Sequence, residues 1–418
     1  MGQDREKITG EVALKEGSET LQDLTRHLSQ KQGEDITSFL SFLLASAIRL
    51  DASDVHTEPT KENIKIRLRI DGLLEDVGQI PLALYATLLS RIKLVAGLKL
   101  NVSDRPQDGR FSLIAPQSAP IEVRTATLPS EYGESVVLRI LNPKNLITLK
   151  ELGLRQDLQE LFEKEIKKPN GMIIVTGPTG SGKTTTLYAF LYEVKNPELK
   201  IITIEDPIEY HLEGISQTQT NPAKGYDFAS GLRAIVRQDP DVVLVGEIRD
   251  LETADIALQA ALTGHLVFST LHTNDAAGTI SRLTSLGTKL PTVASALTLI
   301  IAQRLLRKVC KDCATLIVPS QEQAKKIREK LPVKKDFKVP LPHGCEQCNG
   351  KGYKGRIGIF EAIQIDDKTE EFILSEPSTS ALKNFAMEKG MLTMYQDGLL
   401  KVLEGITTIE EVERVTTE

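Results

Sequence analysis

The spacing of apolar and polar positions changes character along this chain. In residues 64–70, Ile64, Ile66, Leu68 and Ile70 alternate with Lys65, Arg67 and Arg69, which predicts a half-buried strand turning at Asp71-Gly72. Before it, ITSFLSFLLASAIRL has helical spacing. After it come a helix over 85–96 and short strands that include IEVRTATL and ESVVLRIL. Together these elements predict a mixed α+β domain over 36–145. A polar arm over 1–35 precedes it, with Leu14, Leu21, Leu24 and Leu28 at loose helical spacing. From about residue 155 the pattern becomes one of continuous apolar runs, GMIIVTG, KIITIED, DVVLVGE and HLVFST, separated by helical stretches. Such runs mark strands buried on both faces, so 146–309 reads as an α/β domain on a parallel sheet. A cysteine-framed element follows over 310–355, then a helical region over 356–418.

Composition narrows the function classes. A chain of 418 residues should hold two to three domains. Lys plus Arg total 51 against 57 acids, a net charge of −6, so no global basic field attracts nucleic acid or anionic lipid. The longest apolar stretches, such as ALTLIIA, fall well short of the ~18 residues of a membrane span. The amino-terminal MGQDREKITGE carries charges throughout and has no secretory signal character, so the expected location is the cytoplasm.

The chemistry begins at Gly177-Pro178-Thr179-Gly180-Ser181-Gly182-Lys183-Thr184, followed by Thr185. It fits G-x-x-x-x-G-K-[ST] in full, between a predicted strand and a predicted helix. Glycines let backbone N–H groups close around phosphates, and the helix N-terminus adds partial positive charge. Lys183 is placed to reach the β and γ phosphates of ATP, and Thr184 to ligate Mg²⁺. An NTPase also needs a carboxylate at a neighbouring strand end. The strand DVVLVGE ends in Glu247, with Gly246 where a second acid is usual, and Glu205, Asp206 and Glu209 follow another strand. Thr270 and His272 end the strand after that, and ligands of parallel sheets lie at the carboxyl ends of strands.

Cys310-Lys-Asp-Cys313 and Cys345-Glu-Gln-Cys348 are two C-x-x-C pairs separated by 31 residues. Four thiolates suit one tetrahedral Zn²⁺ with no open coordination position, hence a structural site. Cytoplasmic thiols are normally kept reduced, which disfavours disulfides.

GPTGSGKT, TIEDPIEY, DPDVVLVGEIRD and GHLVFSTLHTNDA, in that order, resemble the ATPases of type II secretion and type IV pilus assembly. The resemblance implies a RecA-like P-loop NTPase core over 146–309, a smaller N-terminal α+β domain, and a C-terminal zinc-binding helical region. It makes Glu247 the leading candidate to position the lytic water, with Glu205 or Glu209 as the rival, and His265 and His272 coupling residues. It also places Arg110 of PQDGR and Arg124 of VRTATLP opposite the nucleotide, as cations for the γ-phosphate. The similar enzymes are hexamers that work with an inner-membrane platform protein, at the cytoplasmic face of that membrane and associated with it through partners. Their tetracysteine element matches the two cysteine pairs and distinguishes assembly enzymes from pilus retraction ATPases. Relatives usually carry a further N-terminal docking domain, where here about 35 polar residues precede the first domain. Two rival readings remain at this level. A RecA-like helicase or translocase is opposed by the acidic balance and the absence of Trp, and a non-hydrolysing scaffold by the intact Lys183, Thr184 and Glu247.

Overall fold

A computed structural model describes residues 10–14, 17–30, 35–114 and 120–416. They pack as two units, one of residues up to Asn145 with Gly344–Gly352, the other of Leu146–His343 with Tyr353–Glu418.

The first unit contains β1 (Glu11–Ala13), α1 (Leu21–Gln30), α2 (Ile36–Arg49), β2 (Ala52–Pro59), β3 (Asn63–Ile70), β4 (Leu73–Pro81), α3 (Leu82–Val95), β5 (Gln107–Ile114), β6 (Ile121–Ser130) and β7 (Gly133–Leu141). Its seven strands run in the order β1-β5-β6-β7-β2-β3-β4. The alternation expected in β3 is present, with Ile64, Ile66 and Leu68 fully buried. Asp71 and Gly72 both take positive φ, 51° and 87°, as a type I′ hairpin turn requires. The amino-terminal arm is more firmly held than its polarity suggests. β1 pairs in parallel with β5, and Val12, Leu24 and Leu28 are buried in the unit's core. A narrow leucine stripe suffices to seat α1 although most of the helix is polar. The arm's residues 1–9, 15–16 and 31–34 lie outside the described residues.

The second unit begins with α4 (Gln156–Glu165), β8 (Gly171–Thr176), α5 (Lys183–Val194), β9 (Ile201–Glu205), β10 (Ser216–Gln219), α6 (Phe228–Val236), β11 (Val242–Val245), α7 (Leu251–Leu262) and β12 (Leu266–Leu271). It continues through α8 (Gly278–Ser285), α9 (Leu290–Ala296), β13 (Leu297–Val309), β14 (Thr315–Ile317), α10 (Gln321–Lys330) and β15 (Val339–Leu341). The last elements are β16 (Tyr353–Gln364), α11 (Asp367–Leu374), α12 (Thr379–Glu388), α13 (Met394–Leu403) and α14 (Ile409–Val415). Its main sheet has the order β10-β9-β11-β12-β8-β13-β16, parallel throughout except for β16. Separate apolar clusters cover its two faces, as the continuous apolar runs required.

The division at 309 needs revision. β16 pairs antiparallel with β13 from Leu299↔Gln364 to Val309↔Tyr353, and Leu399, Val402 and Val412 of the C-terminal helices join the sheet's core cluster. The helical region therefore belongs to the ATPase unit. Without β16, β13 would present a long exposed edge.

Candidate nucleotide site and cysteine centre

β8 delivers the chain into the phosphate loop at the carboxyl end of the sheet. Gly177 has φ 148°, and a Cβ there would lie 2.6 Å from the carbonyl of Gln303. Gly182 has φ 91°, and its Cβ would lie 2.7 Å from Gln303 Nε2. Only glycine meets both demands. The loop closes directly into α5, whose N-terminus carries Lys183, Thr184 and Thr185. Pro178, Thr179 and Gly180 form the exposed rim. Ser181 is buried and its hydroxyl has no partner among the described residues, an orphan that a phosphate oxygen would satisfy.

Lys183 lies low in this loop. Its Nζ donates to the carbonyls of Gly177 at 2.9 Å and Pro178 at 3.1 Å. Burial lowers its pKa to about 8, against the opposing pull of Glu247 and Glu209 and with help from Arg304. Phosphates bind the ammonium form better than the amine. Nucleotide affinity should therefore be level below pH 8 and fall above it, by at most about tenfold per pH unit. Equilibrium titration up to about pH 9.5 checks this, and a flat profile would remove Lys183 from the phosphate contacts.

β11 ends at Val245 and passes through Gly246 to Glu247. A Cβ on Gly246 would stand 3.3 Å from both Glu205 Cα and Ile204 O, so the acid missing from this position has no comfortable room. Glu247 accepts from His272 Nε2 at 3.3 Å and pairs with Arg249, which also lies 3.5 Å from Asp206 Oδ2. These side chains gather at the carboxyl ends of β9, β11 and β12. The sequence reading missed Arg249, although the charged run after β11 was the available signal.

Glu205 has a different place from the one expected. It is 3% exposed, and its carboxylate accepts from Tyr188, from Thr203 Oγ1 at 2.6 Å and from Gln217 Nε2 at 3.2 Å. Burial and this neighbouring carboxylate push the Tyr188 phenol upward. A carboxylate occupied by three protein donors is poorly placed to activate water. Thr270 is engaged as well, donating to Gly246 O at 2.8 Å. His265 precedes β12 at its amino end and contacts Ala260 O at 3.0 Å through Nδ1. With ~3.3 Å of rise per residue, a strand length separates it from the site. Of the two histidines, only His272 joins Glu247.

Arg110 and Arg124 belong to the first unit, where they face each other directly across β5 and β6. The same row continues through Arg139 of β7 to Asp54 of β2. Arg139 Nε is 2.9 Å from the buried Asp54 carboxylate, and Arg124 Nε is 3.9 Å from Glu122. Cations directly opposite one another are unfavourable in a sheet, and the Asp54 and Glu122 carboxylates offset part of this row.

The four cysteines meet as expected. The sulfur atoms of Cys310, Cys313, Cys345 and Cys348 lie within 4.8 Å of one another. The Cys345–Cys348 separation is 3.7 Å, against about 3.8 Å for the edge of a tetrahedron with ~2.3 Å Zn–S bonds. Cys348 Sγ also accepts the N–H groups of Cys345 at 3.1 Å and Gly352 at 3.2 Å. The donor set fits zinc.

Comparison with known proteins bears on both sites. The chain is 47% identical over 385 residues to type II secretion system protein E of Aeromonas hydrophila, covering 92% of this chain and 76% of that protein. It is 42% identical over 386 residues to the type IV pilus assembly ATPase PilB of Pseudomonas aeruginosa, covering 92% and 68%. Among solved structures, the pilus retraction motor PilT with bound ADP aligns at a TM-score of 0.61 and 27% identity, over 90% of this chain and 96% of that one. The ATPase DotB of Legionella pneumophila shares the fold at a TM-score of 0.67 and 22% identity, over 93% and 98%. The sequence model described as type II/IV secretion system protein matches residues 29–414, and this chain belongs to that family.

Proposed function

We propose that this protein hydrolyses ATP to ADP and phosphate to drive assembly of a pilus, or of the pseudopilus of type II secretion. The observation that carries the reading is the Glu247–His272 pair set beside a complete phosphate loop, in a chain 42–47% identical to proteins named for those two machines. The N–H groups of the loop and of the first turn of α5 cradle the phosphates, and Lys183 moves from the loop carbonyls onto them. Glu247 orients the attacking water and takes up its proton, while His272 holds that carboxylate. Thr184, Asp206 and Glu247 are oxygen donors of the kind Mg²⁺ takes, and the ion would neutralise phosphate charge. The four cysteines would hold a structural Zn²⁺.

Arg110 and Arg124, which stand opposite each other on β5 and β6, are assigned as the cations that meet the γ-phosphate on the strength of the family resemblance. A complete arginine finger is worth ~10³–10⁵ in rate, and two guanidiniums share the work here. Arg110→Ala and Arg124→Ala should each keep ATP binding and lose at least about tenfold in kcat. Full rate at saturating ATP in both would withdraw the assignment. The working form is a homo-hexamer at the cytoplasmic face of the inner membrane, docked on a platform protein. No helix among the described residues is long and apolar enough to cross a membrane. Phosphate release by the purified chain, together with pili and secreted proteins scored in a deletion strain, tests the whole reading. Loss of neither pili nor secretion would refute the assembly role.

A further inference from the structure

The segment that follows His272 is held from three strands. Thr273 N–H donates to Thr176 Oγ1 of β8 at 2.8 Å, Ala276 N–H to Glu361 Oε1 of β16 at 2.9 Å, and Arg304 of β13 donates through Nη2 to Asn274 O at 3.1 Å. Two of these anchors are fully used. Thr176 Oγ1 also bonds Leu271 O and Thr273 Oγ1, and Glu361 accepts a second N–H from Met394 at the start of α13.

Arg304 differs. Its Nη1 is buried with no hydrogen-bond partner among the described residues, and burial lowers its pKa in spite of Glu361 and Asp275 nearby. Leaving a buried donor unmade is costly. Position gives the cation a purpose. β13 pairs with β8 only as far as Ala302↔Thr176, so Gln303 and Arg304 run on beside the phosphate loop. Gln303 serves one face of the strand, its Oε1 accepting from Thr186 of α5 at 2.7 Å. Arg304, the next residue, serves the other face, where the His272 segment lies.

We infer that Arg304 is a positioning residue for ATP turnover, fixing the segment after His272 to the strand that flanks the phosphate loop. The inference rests on the ATPase reading and deepens it. Arg304 acts through His272, whose Nε2 reaches Glu247 at 3.3 Å. A shift of about 1 Å in such a pair can cost ~10²-fold in rate. Its charge also reaches Lys183, which Glu247 and Glu209 face with the opposite sign.

The test compares phosphate release and nucleotide binding in the full chain and in Arg304→Gln, Arg304→Lys, His272→Ala and the Arg304→Gln/His272→Ala double variant. Arg304→Gln should keep KM within about threefold and lose about tenfold or more in kcat, with partial recovery in Arg304→Lys. The double variant should be no slower than the slower single one, because the two residues act in series. The high-pH fall in nucleotide affinity should move upward in Arg304→Gln and stay in place in Arg304→Lys. Full kcat in both Arg304 variants, or losses that multiply in the double variant, overturns the inference. If Arg304→Gln does not fold, Arg304→Lys takes its place in the cycle. A folded wild-type chain that binds nucleotide without turnover overturns the ATPase reading instead, and the pH profile still reports on Arg304.

Discussion

Glu247→Gln should bind ATP with near-normal affinity and lose ~10²–10⁴ in turnover, the range for removal of a general base. The substitution keeps the size of the side chain and its ability to accept from His272 and Arg249, so the site should keep its shape. What disappears is the carboxylate charge that receives a proton. Lys183→Ala should differ in kind, because in the proposed mechanism Lys183 would face phosphate in ground and transition states alike. It should weaken ATP binding and abolish hydrolysis together. Nucleotide titration and single-turnover phosphate release on both variants separate the two effects. Near-normal turnover in Glu247→Gln would return the catalytic role to the acidic segment after β9. There Glu209 is the remaining candidate, since the Glu205 carboxylate is buried under three donors.

Cys345→Ser should cost the protein its metal. One zinc per chain is expected by elemental analysis of the wild type and none in the variant. In small finger peptides structural zinc supplies an apparent ~10–16 kcal/mol that acts as folding energy. The element has few buried side chains of its own, with Ile327, Leu331 and Val339 the main apolar ones. The loss should therefore appear as faster proteolysis within 310–355, while ATP binding at the phosphate loop persists. Pilus assembly or secretion should suffer more than nucleotide binding. Wild-type protein prepared without chelator, holding no metal and with four freely titratable thiols, would end the zinc assignment.

Much of this protein was legible in one dimension because its chemistry is local. The phosphate loop is eight consecutive residues whose glycines, lysine and threonine each answer a backbone or charge requirement, and it stands where the strand-to-helix change in period placed it. The alternation of β3, the Asp71-Gly72 turn and the buried parallel strands were likewise written in neighbouring residues. Each C-x-x-C pair is spaced as metal ligands are, although only the fold brings the second pair back to the first across 31 intervening residues.

Tertiary structure decided the matters that depend on which strands become neighbours. Glu205 and Glu247 end adjacent strands and are rivals for one role in the sequence, yet one carboxylate meets Tyr188, Thr203 and Gln217 while the other meets His272 and Arg249. His265 and His272 belong to one motif, but a strand length separates them, so a single one reaches the site. β16 returns from beyond the cysteine element to cover the edge of β13, which makes the C-terminal helices part of the ATPase unit. Arg304 acquires its interest from a hydrogen bond to Asn274 and from its charge acting on Lys183, 30 and 121 positions away in the chain. Periodicity reports which face of an element is buried. Which side chains face each other is set by strand order and register, and these follow from long-range packing that no local pattern encodes.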